Sequence, residues 1–418
     1  MIRYFVSFNS AKLIIRLLCS LWPLALFAAE EQPIARYKVT PDPSGQFITV
    51  ESVLQLQNSP LYLKDFGQME TIKWFIGNKE TPVKSERMRD ILVFSGLPTF
   101  GEAKAVYKLT CATQPEPGYR KRLMGAPNFM MAREGLFLGM NGKENSFIDV
   151  RWELPPGWRL ALGHQGLQRF IETQRSLWLA GKMKQTIEEK IDESVFTISV
   201  LEGASDIAAQ QSLEAIKSIF RYAWTTFGPL MGTSFGVAIF PRGAIGGGTA
   251  LYYSLAAEEN WSVAVHEMLH WWTNFLAPAW FREGVHSYLA PKLLVQLGFI
   301  DQNQFKVLME MFLQEHERVV KREGKLFTLA ESSANYDQQK GGGDMYGLMP
   351  LFASKLDREI QAHDANAGLE KVFGEVFRKK YQKFDALTLI KETTGYDPGS
   401  LFQKYFYAKV DDAAGLLK

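Results

Sequence analysis

Two histidines four residues apart, with a glutamate directly after the first, constrain this chain more than any other feature of its sequence. Residues 261–290 read WSVAVHEMLHWWTNFLAPAWFREGVHSYLA and contain His266, Glu267 and His270. On a helix, side chains four residues apart point from one face, so both imidazoles can reach one Zn²⁺ ion. Glu267 lies beside that face, where its carboxylate can take a proton from metal-bound water. The spacing therefore predicts a helix that carries a catalytic base and two ligands of one zinc ion per chain.

A catalytic zinc site needs a third protein ligand and one open position, and Glu283 is placed to supply that ligand. Pro278 is a natural end for the first helix, and the next helix is expected to begin near Phe281. The first helix would continue for about five residues beyond His270, and Glu283 would lie about three residues into the returning helix, at similar depth. His286 lies three residues beyond Glu283 on the same face. It is a group that supports the ligands, a donor to the transition state, or a packed or solvent-facing histidine.

The N-terminal thirty residues have the pattern of a secretory signal peptide. Three basic residues precede a short apolar run at 17–27, and Ala28 and Ala29 follow it. We expect residues 1–29 to be removed, which predicts a periplasmic or secreted protein without a stable membrane span; the alternative is an uncleaved anchor. Cys111 would then be the one remaining cysteine, and a small buried apolar side chain is its expected role.

Length and charge narrow the classes of partner. With 418 residues the chain can form two or three domains, and 46% hydrophobic with 22% charged residues is typical of a globular protein. With a formal net charge of +2, we expect no overall electrostatic field that would attract nucleic acid or an acidic membrane surface. We therefore expect the partner to be a peptide or protein substrate, and no nucleic acid.

The hydrophobic pattern predicts an α+β multidomain fold. Alternation with a period of two dominates residues 30–202 and predicts an N-terminal antiparallel β-sandwich-like domain. The pattern then changes to helical periodicity, with a helix from Asp206 to about Thr226. Residues 203–330 are expected to form the catalytic domain, and residues 331–418 a helical C-terminal domain.

The order of the motif residues resembles that of the gluzincin zinc peptidases, and more closely that of the glycyl aminopeptidase-like family. Four segments carry the resemblance: Trp280–Gly284 with Ser287 and Tyr288; Glu153–Trp158; Gly247–Ser254; and Thr394–Asp397 with Leu401–Tyr405. Together they span most of the chain after residue 29.

The resemblance implies a thermolysin-like catalytic domain between a β-domain and a helical domain. It also implies that Gly247, Gly248 and Ala250 belong to an edge strand that binds the substrate. A tyrosine beside a glycine is expected to stabilise the oxyanion, and Tyr346 is the best match, with Tyr336 as the second candidate.

Departures from the family pattern leave the substrate open. Ala250 stands where relatives have a glutamate that can hold a substrate's free amine, so terminal and internal cleavage both stay possible. No PDZ module follows the helices within these residues, and the segment between His270 and Glu283 is shorter than in most relatives.

Two functions from different classes are consistent with these residues. The first is a zinc-dependent peptidase in which Glu267 activates the attacking water. The second is a non-catalytic zinc-binding or scaffold protein that keeps a peptidase fold, which the alanine at 250 favours. Glu267 favours the enzyme, because zinc binding alone does not need it.

Overall fold

The computed structural model describes residues 33–417 except 59, 65–67, 90, 113–122, 127, 133–135, 141–142, 144–145, 164, 171–176, 231–233, 242–246, 251–252, 258–260, 274–276, 339–342 and 380–384. The expected signal peptide at residues 1–29 lies outside the described residues. Among the helices that are described, none has the length and apolar character needed to cross a membrane.

The described strands occupy the N-terminal part and part of the middle of the chain. They are β1 (Ala35–Pro41), β2 (Phe47–Gln57), β3 (Leu61–Lys64), β4 (Met69–Ile76), β5 (Lys79–Glu80), β6 (Lys84–Met88), β7 (Ile91–Ser95), β8 (Phe100–Thr110), β9 (Leu123–Ala126), β10 (Phe129–Ala132), β11 (Gly139–Met140), β12 (Phe147–Trp152), β13 (Trp158–Leu162), β14 (Gly166–Arg169), β15 (Trp178–Ile191), β16 (Ser194–Leu201), β17 (Ser234–Phe240), β18 (Gly247–Ala250) and β19 (Tyr253–Ala257).

The described helices follow mainly after residue 205. They are α1 (Asp206–Phe227), α2 (Trp261–Leu269), a 3-10 turn (His270–Trp272), a π-helix (Trp280–Val285), α3 (His286–Gln296), α4 (Gln302–Glu323), α5 (Leu329–Asp337), α6 (Leu348–His363), α7 (Leu369–Arg378), α8 (Ala386–Thr394), α9 (Gly399–Leu401), a second π-helix (Phe402–Phe406) and a 3-10 turn (Ala413–Leu417). The structure is thus mixed α and β, with sheets in the N-terminal part and helices in the C-terminal part.

Within the described residues, the strands form three sheets. One has the order β14-β12-β1-β2-β8-β4-β5, a second β18-β19-β17-β16-β15-β10-β9 with β13 beside β15, and a small one β11-β3-β7-β6. Pairing in the first sheet is antiparallel except between β1 and β12. Buried and partly exposed side chains alternate along the whole of β2, as the period of two predicts.

Apolar side chains of the helices and of the second sheet share one large core. Among the described residues this cluster extends from Phe196 on β16 to Leu416 in the last 3-10 turn. A separate cluster fills the space inside the N-terminal strands, and Cys111 is buried in it, as predicted. Helix α2, the π-helix and α6 therefore contribute to one core, in which the π-helix packs against α6.

One predicted feature of the helical part is wrong. The first helix does not continue for about five residues beyond His270, because a tight 3-10 turn ends it at Trp272 and Thr273 is extended, with φ −91° and ψ 138°. The indole of Trp272 is buried there and donates to the carbonyl of Gly228 at 2.8 Å. Helix α5 was not predicted at all.

Candidate metal centre

Helix α2 brings the two predicted histidine ligands together. His266 and His270 lie one turn apart, and their Nε2 atoms are 3.2 Å from each other. The opposite face of the helix is held by the core through Val265, Met268 and Leu269, all buried. His266 is further oriented by Ser287, whose Oγ lies 3.2 Å from its Nδ1.

Glu283 enters the same space from the π-helix. Its Oε2 lies 3.4 Å from Nε2 of His266 and 3.9 Å from Nε2 of His270. A π-helical turn is a rare local geometry that occurs mostly at functional sites, and here it presents a carboxylate that is 6% exposed. The structure thus brings all three predicted ligands to one point.

The charge states of these groups suit a divalent metal. Burial and the neighbouring His266 lower the pKa of His270 to about 3, so its ring is neutral at pH 7. Burial raises the pKa of Glu283, but the hydrogen bond to His266 and the electrostatic interactions with the two imidazoles outweigh it, so the pKa is lowered overall. Zinc takes neutral imidazoles and ionised carboxylates, so this donor set fits it.

His286 is a fourth buried donor beside the same point. Its ring centroid is 4.4 Å from that of His270, and its Nε2 lies 2.7 Å from Oγ1 of Thr273. No hydrogen-bond partner meets its Nδ1 among the residues described. One ligand atom from each of His266, His270 and His286 lies within 4.8 Å of the others, so this trio could also hold a metal ion. With 0% exposure, His286 is packed and not solvent-facing.

Both candidate tyrosines contact the carboxylate of Glu283. The hydroxyl of Tyr346 donates to Oε2 at 3.0 Å, and the hydroxyl of Tyr336 donates to Oε1 at 3.3 Å. Their rings are 45% and 40% exposed, so both phenols stand at an open face of the site. The structure therefore places both candidates beside the expected metal, on different oxygens of one ligand.

The remaining predicted residues lie on elements that adjoin the histidine pair. Glu267 is half-buried on α2, directly after His266. Gly247, Gly248 and Ala250 belong to β18, an edge strand that pairs antiparallel with β19, and α2 packs against both strands. An edge strand offers backbone donors and acceptors to an extended peptide.

A cavity of about 730 Å³ opens beside the two tyrosines. It lies between α4, α5, the π-helix and the loop that precedes α6. Its lining includes Arg282, Glu315, Arg322, Tyr336 and Tyr346. Charges of both signs and two phenols make this a polar space next to the expected metal.

The sequence interpretation missed two contributions to the site. The first is the hydrogen bond between Thr273, after the 3-10 turn, and His286, at the start of α3. No local sequence pattern indicates it. The second, helix α5, does have such a pattern, because Thr328 and Glu331 form a capping box at its start. That pattern could have placed Tyr336 on a helix.

No family model matches this chain, and no curated protein does. An aminopeptidase N family protein from Idiomarina loihiensis has a similar structure over 92% of this chain and 78% of its own, with a TM-score of 0.75 and 15% identity. An M1 zinc metallopeptidase from Deinococcus radiodurans is similar over 89% of this chain and 93% of its own, with a TM-score of 0.54 and 13% identity. At such identities the likeness shows a shared fold, that of aminopeptidase N-like zinc metallopeptidases.

Proposed function

We propose that this protein is a zinc-dependent peptidase with His266, His270 and Glu283 as metal ligands. The observation that carries the proposal is the position of Glu283 Oε2, which faces both imidazole Nε2 atoms at 3.4 and 3.9 Å. Two imidazoles and one carboxylate are the ligand set of catalytic zinc sites that keep a position for water or substrate. The fold shared with zinc metallopeptidases supports the same activity.

Glu283 is a better third ligand than His286. The carboxylate is ionised and points an oxygen at the two Nε2 atoms, whereas His286 directs its Nε2 to Thr273 at 2.7 Å. Each of these two donor atoms has a hydrogen-bond partner, but the carboxylate oxygen keeps a second lone pair and a negative charge for the metal, whereas an imidazole nitrogen has at most one lone pair. His286 therefore packs behind the site and supports the ring of His270.

Each remaining residue has a task in peptide hydrolysis. Bound zinc would polarise the scissile carbonyl and lower the pKa of the attacking water. Glu267 accepts the proton of that water and delivers it to the leaving amine. Tyr346 donates to the carbonyl oxygen as negative charge develops on it. The backbone of Gly247, Gly248 and Ala250 aligns the substrate as an added strand beside β18.

The finer sequence predictions belong to the same proposal. The chain would be a gluzincin like the glycyl aminopeptidase-like family, with one zinc ion and a thermolysin-like catalytic domain at 203–330. That domain would lie between a β-domain at 30–202 and a helical domain at 331–418. Removal of residues 1–29 would leave a periplasmic or secreted enzyme.

A peptide-library digest with and without a chelator tests the function. We expect cleavage that stops when the chelator is added and returns when zinc is restored, because the metal is needed for hydrolysis. The positions of the cuts also separate terminal from internal cleavage. A protein that binds zinc stoichiometrically and cleaves no peptide of the library would instead be the scaffold.

A further inference from the structure

We propose that Tyr336 is a positioning residue that holds the Glu283 carboxylate toward the histidine pair, a task separate from that of Tyr346. This inference rests on the proposed function. It assigns to the second phenol of the site a role in metal retention and not in the chemical step.

The two oxygens of the Glu283 carboxylate have different surroundings. Oε2 faces the imidazoles and also accepts from Tyr346 at 3.0 Å, while Oε1 accepts from Tyr336 at 3.3 Å. A carboxylate that ligates a metal through one oxygen is commonly oriented by hydrogen bonds to the other. The bond from Tyr336 can therefore persist while Oε2 ligates zinc, and the bond from Tyr346 is the one that metal binding can replace.

The hydroxyl of Tyr336 is a dependable donor at neutral pH. A tyrosine phenol ordinarily loses its proton only at about pH 10, so at neutral pH it is a donor. A protonated phenol beside an ionised carboxylate forms a charge-assisted hydrogen bond, which is stronger than a neutral one.

Helix α5 is fixed to the segment that carries Glu283 on both sides of Tyr336. Ser333 Oγ accepts from the backbone N–H of Trp280 at 3.1 Å. Asp337 accepts from the backbone N–H of Ala279 at 3.1 Å and from the guanidinium of Arg282 at 2.5 Å. These bonds satisfy N–H groups at the start of the π-helix, which have no partner within that helix. They also set the distance between Tyr336 and Glu283.

Tyr346 is held by a different set of contacts. Asp344 accepts from the N–H of Gly347 at 2.9 Å and contacts the buried His316 of α4. The N–H of Asp344 donates to Ser332 at 2.9 Å. A Cβ on Gly347 would lie 2.5 Å from a backbone atom of His316, so the loop approaches α4 as closely as glycine allows. The loop of Tyr346 is thus fixed to both α4 and α5. The two phenols also hydrogen-bond to each other, so the single variants are compared with the double variant Tyr336→Phe/Tyr346→Phe.

The variants Tyr336→Phe and Tyr346→Phe test directly whether the two phenols have separate roles. Zinc affinity would be measured by competition with a chromogenic chelator. The constants kcat and KM would be measured at saturating zinc, on a peptide that the wild type cleaves. Loss of a hydrogen bond to a metal ligand typically lowers metal affinity by about 10–100-fold. We expect a loss of this size in Tyr336→Phe, with kcat changed by less than about threefold. Tyr346→Phe should leave zinc affinity within about threefold and lower kcat by about 10²–10³-fold.

Two further variants complete the experiment. Tyr407→Phe alters an exposed tyrosine in the C-terminal part and should change neither quantity. Ser333→Ala loosens α5 from the π-helix without touching a phenol, and it should weaken zinc binding in the same direction as Tyr336→Phe. In the double variant Ser333→Ala/Tyr336→Phe the two losses of zinc affinity should be less than additive, because both substitutions act through the position of Glu283.

The outcomes separate this inference from the proposed function. Wild-type zinc affinity in Tyr336→Phe, in a protein that still cleaves peptide, overturns the positioning role and leaves the peptidase intact. A fall in kcat at saturating zinc, with unchanged affinity, would assign Tyr336 to the chemical step and also overturn it. A wild type that binds no zinc overturns the proposed function and this inference together.

Discussion

Glu267 is the residue whose loss should separate hydrolysis from metal binding. Glu267→Gln keeps the size of the side chain but removes its ability to accept a proton, so we expect a loss of about 10²–10⁴-fold in kcat. Zinc content should remain one per chain by elemental analysis. Glu317→Gln, at an exposed position on α4, serves as the matched control and should behave as the wild type. Undiminished cleavage by Glu267→Gln would remove the residue from the mechanism.

Glu283 and His286 are the two candidates for the third zinc ligand, and substitutions at these positions should differ in their effect on zinc affinity. Glu283→Ala should lose zinc, because the carboxylate supplies the charged donor to the pair of imidazoles. His286→Gln should retain zinc to within about tenfold, since it changes a group behind the ligands. Isothermal titration with zinc measures both. A greater loss of zinc affinity in His286→Gln than in Glu283→Ala would mean that the three histidines bind the metal.

The three proposed ligands could be identified from the sequence, whereas their hydrogen-bond partners could not. His266, His270 and Glu283 follow from spacing on adjoining helices, and the structure brings them together. The contacts from Tyr336 and Tyr346 to Glu283 cross 53 and 63 residues of chain, so no local pattern specifies them. The sequence resemblance indicated the phenols as candidates but did not indicate that both reach the same carboxylate.

The π-helix that carries Glu283 packs on α6 at a glycine. A Cβ on Gly284 would lie 2.6 Å from Cβ of Met349 and 3.2 Å from its carbonyl carbon. We expect Gly284→Ala to destabilise the protein, because overpacking costs about 1–3 kcal/mol and exceeds the gain of about 1 kcal/mol from alanine in a helix. Zinc affinity should fall with it, since Glu283 is the preceding residue.

Gly374 provides the matched control for that substitution. It lies inside α7, where the nearest atom to an added Cβ is 3.5 Å away. Gly374→Ala should therefore be neutral or stabilise the protein by up to about 1 kcal/mol. Chemical denaturation of both variants measures the difference, and equal free energies of unfolding would contradict the close packing at Gly284.

Elements with long, regular patterns were predicted well, and short ones were not. Strand β2 lies in the segment where a period of two was predicted, and helix α1 covers Asp206–Phe227, where a helix to about Thr226 was predicted. Helix α5 has nine residues and little amphipathic character, so tertiary contacts decide its formation. The same applies to the end of α2, where burial of two tryptophans replaces the expected helical turns with a 3-10 turn.

The proposed metal centre joins elements that belong to one core, so zinc bound there should stabilise the whole helical part. A ligand that binds the folded state alone adds about 2.7 kcal/mol when present at a hundredfold excess over its Kd. We expect zinc to raise the Tm of the wild type in differential scanning fluorimetry and to leave that of Glu283→Ala unchanged. An equal rise in both proteins would place the stabilising metal elsewhere.

The overall architecture was predictable as N-terminal sheets followed by helices, whereas the core that the second sheet shares with the helices was not. The cluster that begins at Phe196 on β16 includes side chains up to Leu416, contributed by segments far apart in sequence. Periodicity shows which face of an element is apolar, but it does not show which other elements cover that face. The likeness to solved zinc metallopeptidases over 92% and 89% of the chain agrees with the predicted fold at this coarse level.

A crystal structure of the zinc-loaded protein, with anomalous data collected on both sides of the zinc absorption edge, tests the site most directly. We predict one anomalous peak, with Nε2 of His266, Nε2 of His270 and a carboxylate oxygen of Glu283 each about 2.0–2.2 Å from it. Tyr336 should still donate to the other oxygen of that carboxylate. A peak bound by His286 in place of Glu283, or no peak between the two helices, would contradict the proposed centre.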